Sequence, residues 1–256
     1  LFINRLYLEG LHAQLGQKIR RMADWFNKNM VIQTFFILVG LFGLFGEFLP
    51  AAMRTSDFSA SNVMLFLMAA LLLPLFPLHG VYMTALTRVT GYGAALLALL
   101  MPIAGVYALS GLTIPVEMRG SVRFLALLSA LYGAFTAMAP LQTERLLVAA
   151  GITLSSIFWW SFSYAGRVTP PALVYVICMG LTTGGLFLAW QIVVARYGRG
   201  NINRVGGLAG EMPCFAVALL LLVMAAMGLP PFGLFSGVMG MLLHHTMRIS
   251  WDLPII

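Results

Sequence analysis

From Val31 to the C-terminus, long apolar runs alternate with short polar turns. Runs of about 20 apolar residues are long enough to cross a hydrocarbon core of roughly 30 Å as helices. Water is absent there, so each run must satisfy its backbone hydrogen bonds internally. The pattern predicts eight spans, near Val31–Pro50, Asn62–Leu78, Tyr92–Leu112, Val122–Pro140, Arg145–Ala165, Ala172–Ala195, Phe215–Leu229 and Phe232–Met247. Ahead of them, residues 2–29 read as an amphipathic helix. Leu6 and Leu8 open the run, Leu11, Leu15, Ile19, Met22 and Phe26 follow Leu8 at three- and four-residue steps, and Arg5, Lys18, Arg20, Arg21 and Lys28 occupy much of the rest. Such a helix lies on a membrane surface or a partner subunit, or simply connects. The expected organisation is therefore an amphipathic segment, 1–30, and a transmembrane domain, 31–256.

Prolines punctuate the spans. Pro74 and Pro77 interrupt the second, Pro102 sits inside the third, and Gly228-Leu229-Pro230-Pro231 separates the last two. A proline removes a backbone donor and kinks a helix. In a membrane such breaks survive only where they are buried in protein or line a wet cavity.

Composition agrees with this reading. Of 256 residues, 61% are hydrophobic and 9% charged, against roughly 25% charged in a soluble domain. The short alternating segments of a β-barrel are absent. The expected fold class is all-α integral membrane. With eight spans both termini share a side, and that side holds eleven of the 15 lysines and arginines; Arg54, Arg119, Arg123 and Arg167 fall on the other. This bias predicts that both termini are cytoplasmic, and a bacterial inner membrane is the expected location. The net charge of +7 is a topology signal. No basic run is interleaved with aromatics, so nucleic acid is not an expected partner.

Proton or ion transport requires ionisable groups inside the membrane. The candidates are Glu47 near the end of the first span, His79 after the proline-broken span, and Glu144 at the start of the fifth. Glu47 also fits an interfacial residue, His79 a helix cap, and Glu144 a local ion pair with Arg145. Glu211 fits a helix N-terminus, and His244 and His245 fit headgroup level. No span carries Asp, Glu, Lys or Arg near its middle; Thr153, Ser155, Ser156, Thr182 and Thr183 are the main polar groups there. These can bridge helices but cannot change charge at physiological pH. Cys178 and Cys214 read as small buried hydrophobes. No metal-ligand spacing is evident.

Three stretches resemble the antiporter-like membrane subunits of respiratory complex I, best the subunit M type, in a superfamily that includes Mrp cation antiporters. Leu75-Phe76-Pro77-Leu78-His79-Gly80 is similar to the family's FPLHGW segment. Tyr132-Gly133-Ala134-Phe135 followed by Gln142-Thr143-Glu144-Arg145-Leu146-Leu147 is similar to its YGA…QTDIKRL block. Gly206-Gly207-Leu208, Met212-Pro213, Gly228-Leu229-Pro230 and Phe235-Ser236-Gly237 resemble GGL…MP…LGLPG…F-G-E. Gly180-Leu181 and Gly185-Leu186-Phe187 resemble the AHGL…GLF helix.

The resemblance implies helices six to thirteen of a fourteen-helix fold. Family members move protons through buried lysines, histidines and a glutamate. Here the family lysines fall at Met101 and Glu144, its histidines near Leu154 and at Met179, and its closing glutamate near Val238; His79 alone is retained. The expected function is thus a membrane subunit of a complex-I-like, NADH-quinone oxidoreductase type assembly. Its role would be structural, without a complete proton path of its own. The alternative is a transmembrane subunit of an inorganic-carbon accumulation or cation antiporter complex. Other membrane subunits and the bilayer are the expected partners. No cofactor is expected in this chain, and a lipid or quinone bound nearby stays open.

Overall fold

The computed structural model describes residues 60–89, 91–138, 143–198 and 207–251. The expected amphipathic segment, the Val31–Pro50 span and Glu47 lie outside them. The described residues are all-helical: α1 (Ala60–Leu72), α2 (Gly80–Arg88), α3 (Gly93–Leu109), α4 (Val116–Met138), α5 (Thr143–Ala165), α6 (Pro170–Tyr197), α7 (Leu208–Glu211), α8 (Pro213–Ala226) and α9 (Gly233–Trp251). Among them α4, α5 and α6 are long and apolar enough to cross a membrane; α1, α3, α8 and α9 contribute shorter apolar stretches.

Local chemistry explains the boundaries. Prolines occupy the first positions of α6, where an N–H has no helical partner to lose. Gly198, at φ +79°, closes that helix with its N–H on the Val194 carbonyl. Small residues let the bundle close. A Cβ on Gly180 would stand 2.9 Å from the Leu99 carbonyl oxygen, and one on Gly184 3.1 Å from that of Ala95. The α3–α6 seam thus runs backbone against backbone. α4 packs along α5, and α6 lies at the centre, touching α3, α5, α8 and α9.

Two helices are broken rather than ended. Phe66 packs on Trp159, the Leu73 carbonyl meets Trp159, the Pro74 carbonyl meets Ser155, and Tyr82 lies over Gly151. As numbers rise through α1 and α2 they fall along α5, so α1 and α2 are two halves of one rod antiparallel to α5. The proline-rich segment is its interruption, as expected from Pro74 and Pro77; the second half, α2, extends beyond the predicted span.

The same register corrects the expected pair of spans at the C-terminal end. Leu222 lies against Gly185, Gly233 against Cys178, Gly237 against Tyr175 and Gly240 against Pro171. The order is again monotonic, and α8 and α9 barely touch each other. They are therefore one rod broken at Gly228–Phe232, not a helical hairpin. His244 consequently lines a groove with Ser110 and Arg167, at the turns joining α3 to α4 and α5 to α6. The end of α9 lies opposite Arg88 and Arg196, and Arg248 must be moved away from the group in which the eight-span reading placed it.

Candidate functional site

The enclosed break between α1 and α2 is the candidate site. Pro74 and Pro77 supply no N–H, so the helical ladder stops and leaves carbonyls without helical partners. Leu73 N–H still reaches the Ala69 carbonyl at 2.7 Å, and Leu75 N–H the Ala70 carbonyl at 3.1 Å. Other helices serve the remaining groups. Trp159 Nε1 donates to the Leu73 carbonyl at 3.0 Å. Ser155 Oγ lies 3.0 Å from the Pro74 carbonyl and 2.8 Å from that of Ile152. Phe76 N–H donates to Ser129 Oγ at 2.5 Å. A buried carbonyl left bare costs free energy, so these side chains are what permits the break. Ser155 was visible in the sequence as a mid-span hydroxyl. Ser129 belongs to no motif, and the sequence marks Trp159 only by an indole N–H in mid-span, which needs an acceptor.

His79 is 1% exposed. Its ring stacks on Phe76 at 5.7 Å and lies 4.2 Å from the Tyr132 ring, tilted by 44°. Tyr82 is fully buried, and its hydroxyl has no hydrogen-bond partner among the described residues. A Cβ on Gly151 would stand 2.5 Å from that hydroxyl. The site thus holds one imidazole among aromatic rings, roofed by hydroxyl and indole donors directed at backbone.

The other expected groups are not gathered here. Glu144 is half-buried in the first turn of α5, and no ion pair joins it to Arg145. Eleven residues separate it from Ser155, roughly 16 Å along the helix. Met101 is buried with Tyr82, Ala98, Ile152 and Phe187, beside the in-helix Pro102. Met179 is fully buried against the aromatic core of Phe158, Trp159, Phe162 and Tyr175. Leu154 and Val238 are partly buried against the same core, and the Leu154 carbonyl accepts the Tyr175 hydroxyl at 2.8 Å. Pro230 and Pro231 lie in the second break, whose residues are half-exposed or exposed. Glu211 closes the single turn α7 and directly precedes Met212, the N-cap of α8, and Cys214 is exposed rather than buried. Among the described residues no three His, Cys, Asp or Glu side chains converge as a metal site would need.

Two proline-broken rods of this kind, one on α5 and one on α6, point to the antiporter-like subunits. Residues 29–256 match the transmembrane family described as NADH:quinone oxidoreductase/Mrp antiporter. The chain belongs to that family. It is 35% identical over 140 residues to NADH-quinone oxidoreductase subunit 13 of Thermus thermophilus, covering 52% of this chain and 30% of that protein. It is 27% identical over 184 residues to subunit M of the Escherichia coli enzyme (67% and 35% covered). To F(420)H(2) dehydrogenase subunit M of Methanosarcina mazei it is 30% identical over 169 residues (62% and 33%). A chain of respiratory complex I from Thermus thermophilus, solved with bound NADH, superposes with a TM-score of 0.70 at 26% identity, covering 98% of this chain and 59% of that one. The chain thus spans about a third of the length of these curated relatives.

Proposed function

We propose that this chain is a membrane subunit of a complex-I-like, NADH-quinone oxidoreductase type assembly, in which it serves as scaffold and carries no complete proton path of its own. One observation carries the reading. The break that frames His79 is intact, with its backbone served by Ser129, Ser155 and Trp159, while Met101, Leu154, Met179 and Val238 are packed as apolar side chains. A buried cation in the membrane is costly and is retained where it works; methionine and leucine fill the same places without that cost.

In this reading each broken rod crosses the bilayer once. The described residues then make six crossings, and an added Val31–Pro50 span makes seven. The termini lie on opposite sides. Moving Arg248 across changes the eleven-to-four distribution of basic residues to ten and five, which still favours a cytoplasmic face at Arg88, Arg145 and Arg196.

Purification of the chain in a mild detergent from its own membranes tests the assignment. Co-purification of iron–sulfur and flavin subunits is the expected outcome. A soluble zinc-binding partner without redox centres would move the chain to an inorganic-carbon assembly and overturn the reading.

A further inference from the structure

The end of the bundle opposite Arg196 holds a groove of about 510 Å³, lined among others by Ser110, Thr113, Arg167, Thr169, Pro170 and His244. Three separate elements build it: the α3–α4 turn, the α5–α6 turn and α9. We propose that this groove takes the phosphate of an anionic glycerophospholipid whose acyl chain lies along α6.

The polar half of the case is chemical. Arg167 is exposed, and its guanidinium forks match a phosphate's oxygens in pairs. Ser110 and Thr113 line the same space, and among the described residues no acidic side chain lines it.

The apolar half is geometric. Pro170, Val174, Ile177 and Leu181 are exposed and recur on one face of α6. At about 100° per residue, this stripe falls between two contact lines of α6. Gly180 and Gly184 meet α3 on one side; Pro171, Tyr175 and Cys178 meet α9 on the other. The stripe is thus the floor of a trough walled by α3 and α9. The α3 wall adds exposed Leu100, Ile103 and Tyr107. These are offset from the α3–α6 seam in the same rotational sense as the α6 stripe. Because the two helices run antiparallel, equal sense means the same side. From Pro170 to Leu181 the floor runs ~16 Å, about one leaflet of a hydrocarbon core roughly 30 Å thick. Headgroup pocket and chain track are therefore continuous and of matching length. A neighbouring apolar helix could fill the trough without using Arg167, and a free phosphate could use the groove without the trough, so the two halves are separable by experiment.

The test uses the full chain, purified in detergent and studied by native mass spectrometry with added phosphatidylglycerol, phosphatidylcholine or inorganic phosphate. Phosphatidylglycerol should bind at least tenfold more tightly than phosphatidylcholine and resist displacement by inorganic phosphate. Arg167→Gln should abolish that preference, and Arg167→Lys should keep part of it. Ile177→Trp, which fills the trough, should expel the lipid, and Arg196→Gln at the other end should change nothing. Equal retention of both lipids by the unmodified chain overturns the proposal. So does displacement by phosphate together with a silent Ile177→Trp, the signature of a simple anion site. If Arg167→Gln fails to fold, the comparison of lipids in the unmodified chain and the Ile177→Trp variant still decides.

Discussion

Trp159 Nε1 donates to the carbonyl of Leu73 across 86 residues of chain, at 3.0 Å. The indole is fully buried, and the carbonyl belongs to the interrupted end of α1. This bond, with that from Ser155, converts a proline break from a defect into a stable feature: the carbonyls that the helix abandons are claimed by α5.

Trp159→Phe should therefore do more than remove an edge contact. It keeps a ring in the core but leaves the Leu73 carbonyl without its donor. A loss of ~1–2 kcal/mol is expected, since interhelical hydrogen bonds in membranes are individually modest and a stranded buried carbonyl adds to the cost. Reversible unfolding in mixed micelles measures it. A loss near zero would show that water or another group serves the carbonyl equally well.

The breaks were only half legible in the sequence. Pro74 and Pro77 in one apolar run announced an interruption. Gly228-Leu229-Pro230-Pro231 carries the same punctuation, yet it reads equally as a turn between two spans, because glycine and proline end helices in both settings. What separates the cases is the register of Gly233 on Cys178 and Gly240 on Pro171, and this long-range packing leaves no local trace. The helix boundaries of α4, α5 and α6 were nearer to hand, since apolar length fixes them. Of the site, His79 was visible through its motif. Its aromatic surroundings were not, because Tyr132 comes from a different helix, 53 residues on.

The register makes a topological prediction. With Cys178 and Cys214 replaced by alanine, Arg196→Cys and His244→Cys should be labelled by a membrane-impermeant maleimide from opposite sides of the membrane. Labelling of both from one side would restore two separate C-terminal spans and contradict the single broken rod.

Glycines at seams should respond with opposite sign to glycines in open space. A Cβ on Gly237 would stand 2.8 Å from Tyr175 Cα, whereas one on Gly120 in α4 meets nothing within 4 Å. Gly237→Ala should destabilise by ~1–3 kcal/mol through overpacking of backbone on backbone. Gly120→Ala should stabilise by ~0.5–1 kcal/mol by restricting the unfolded chain. The same micelle unfolding assay compares them; equal effects would mean that the α6–α9 seam is looser than its geometry.

The scaffold reading is tested most directly by proton stoichiometry. The whole assembly, reconstituted into vesicles, is assayed for protons moved per electron pair with this chain unmodified or carrying His79→Ala, Glu144→Gln or Met179→Leu. The same ratio is expected in all four. A lower ratio in His79→Ala or Glu144→Gln, with electron transfer and assembly intact, would show a proton path running through this chain and contradict the account.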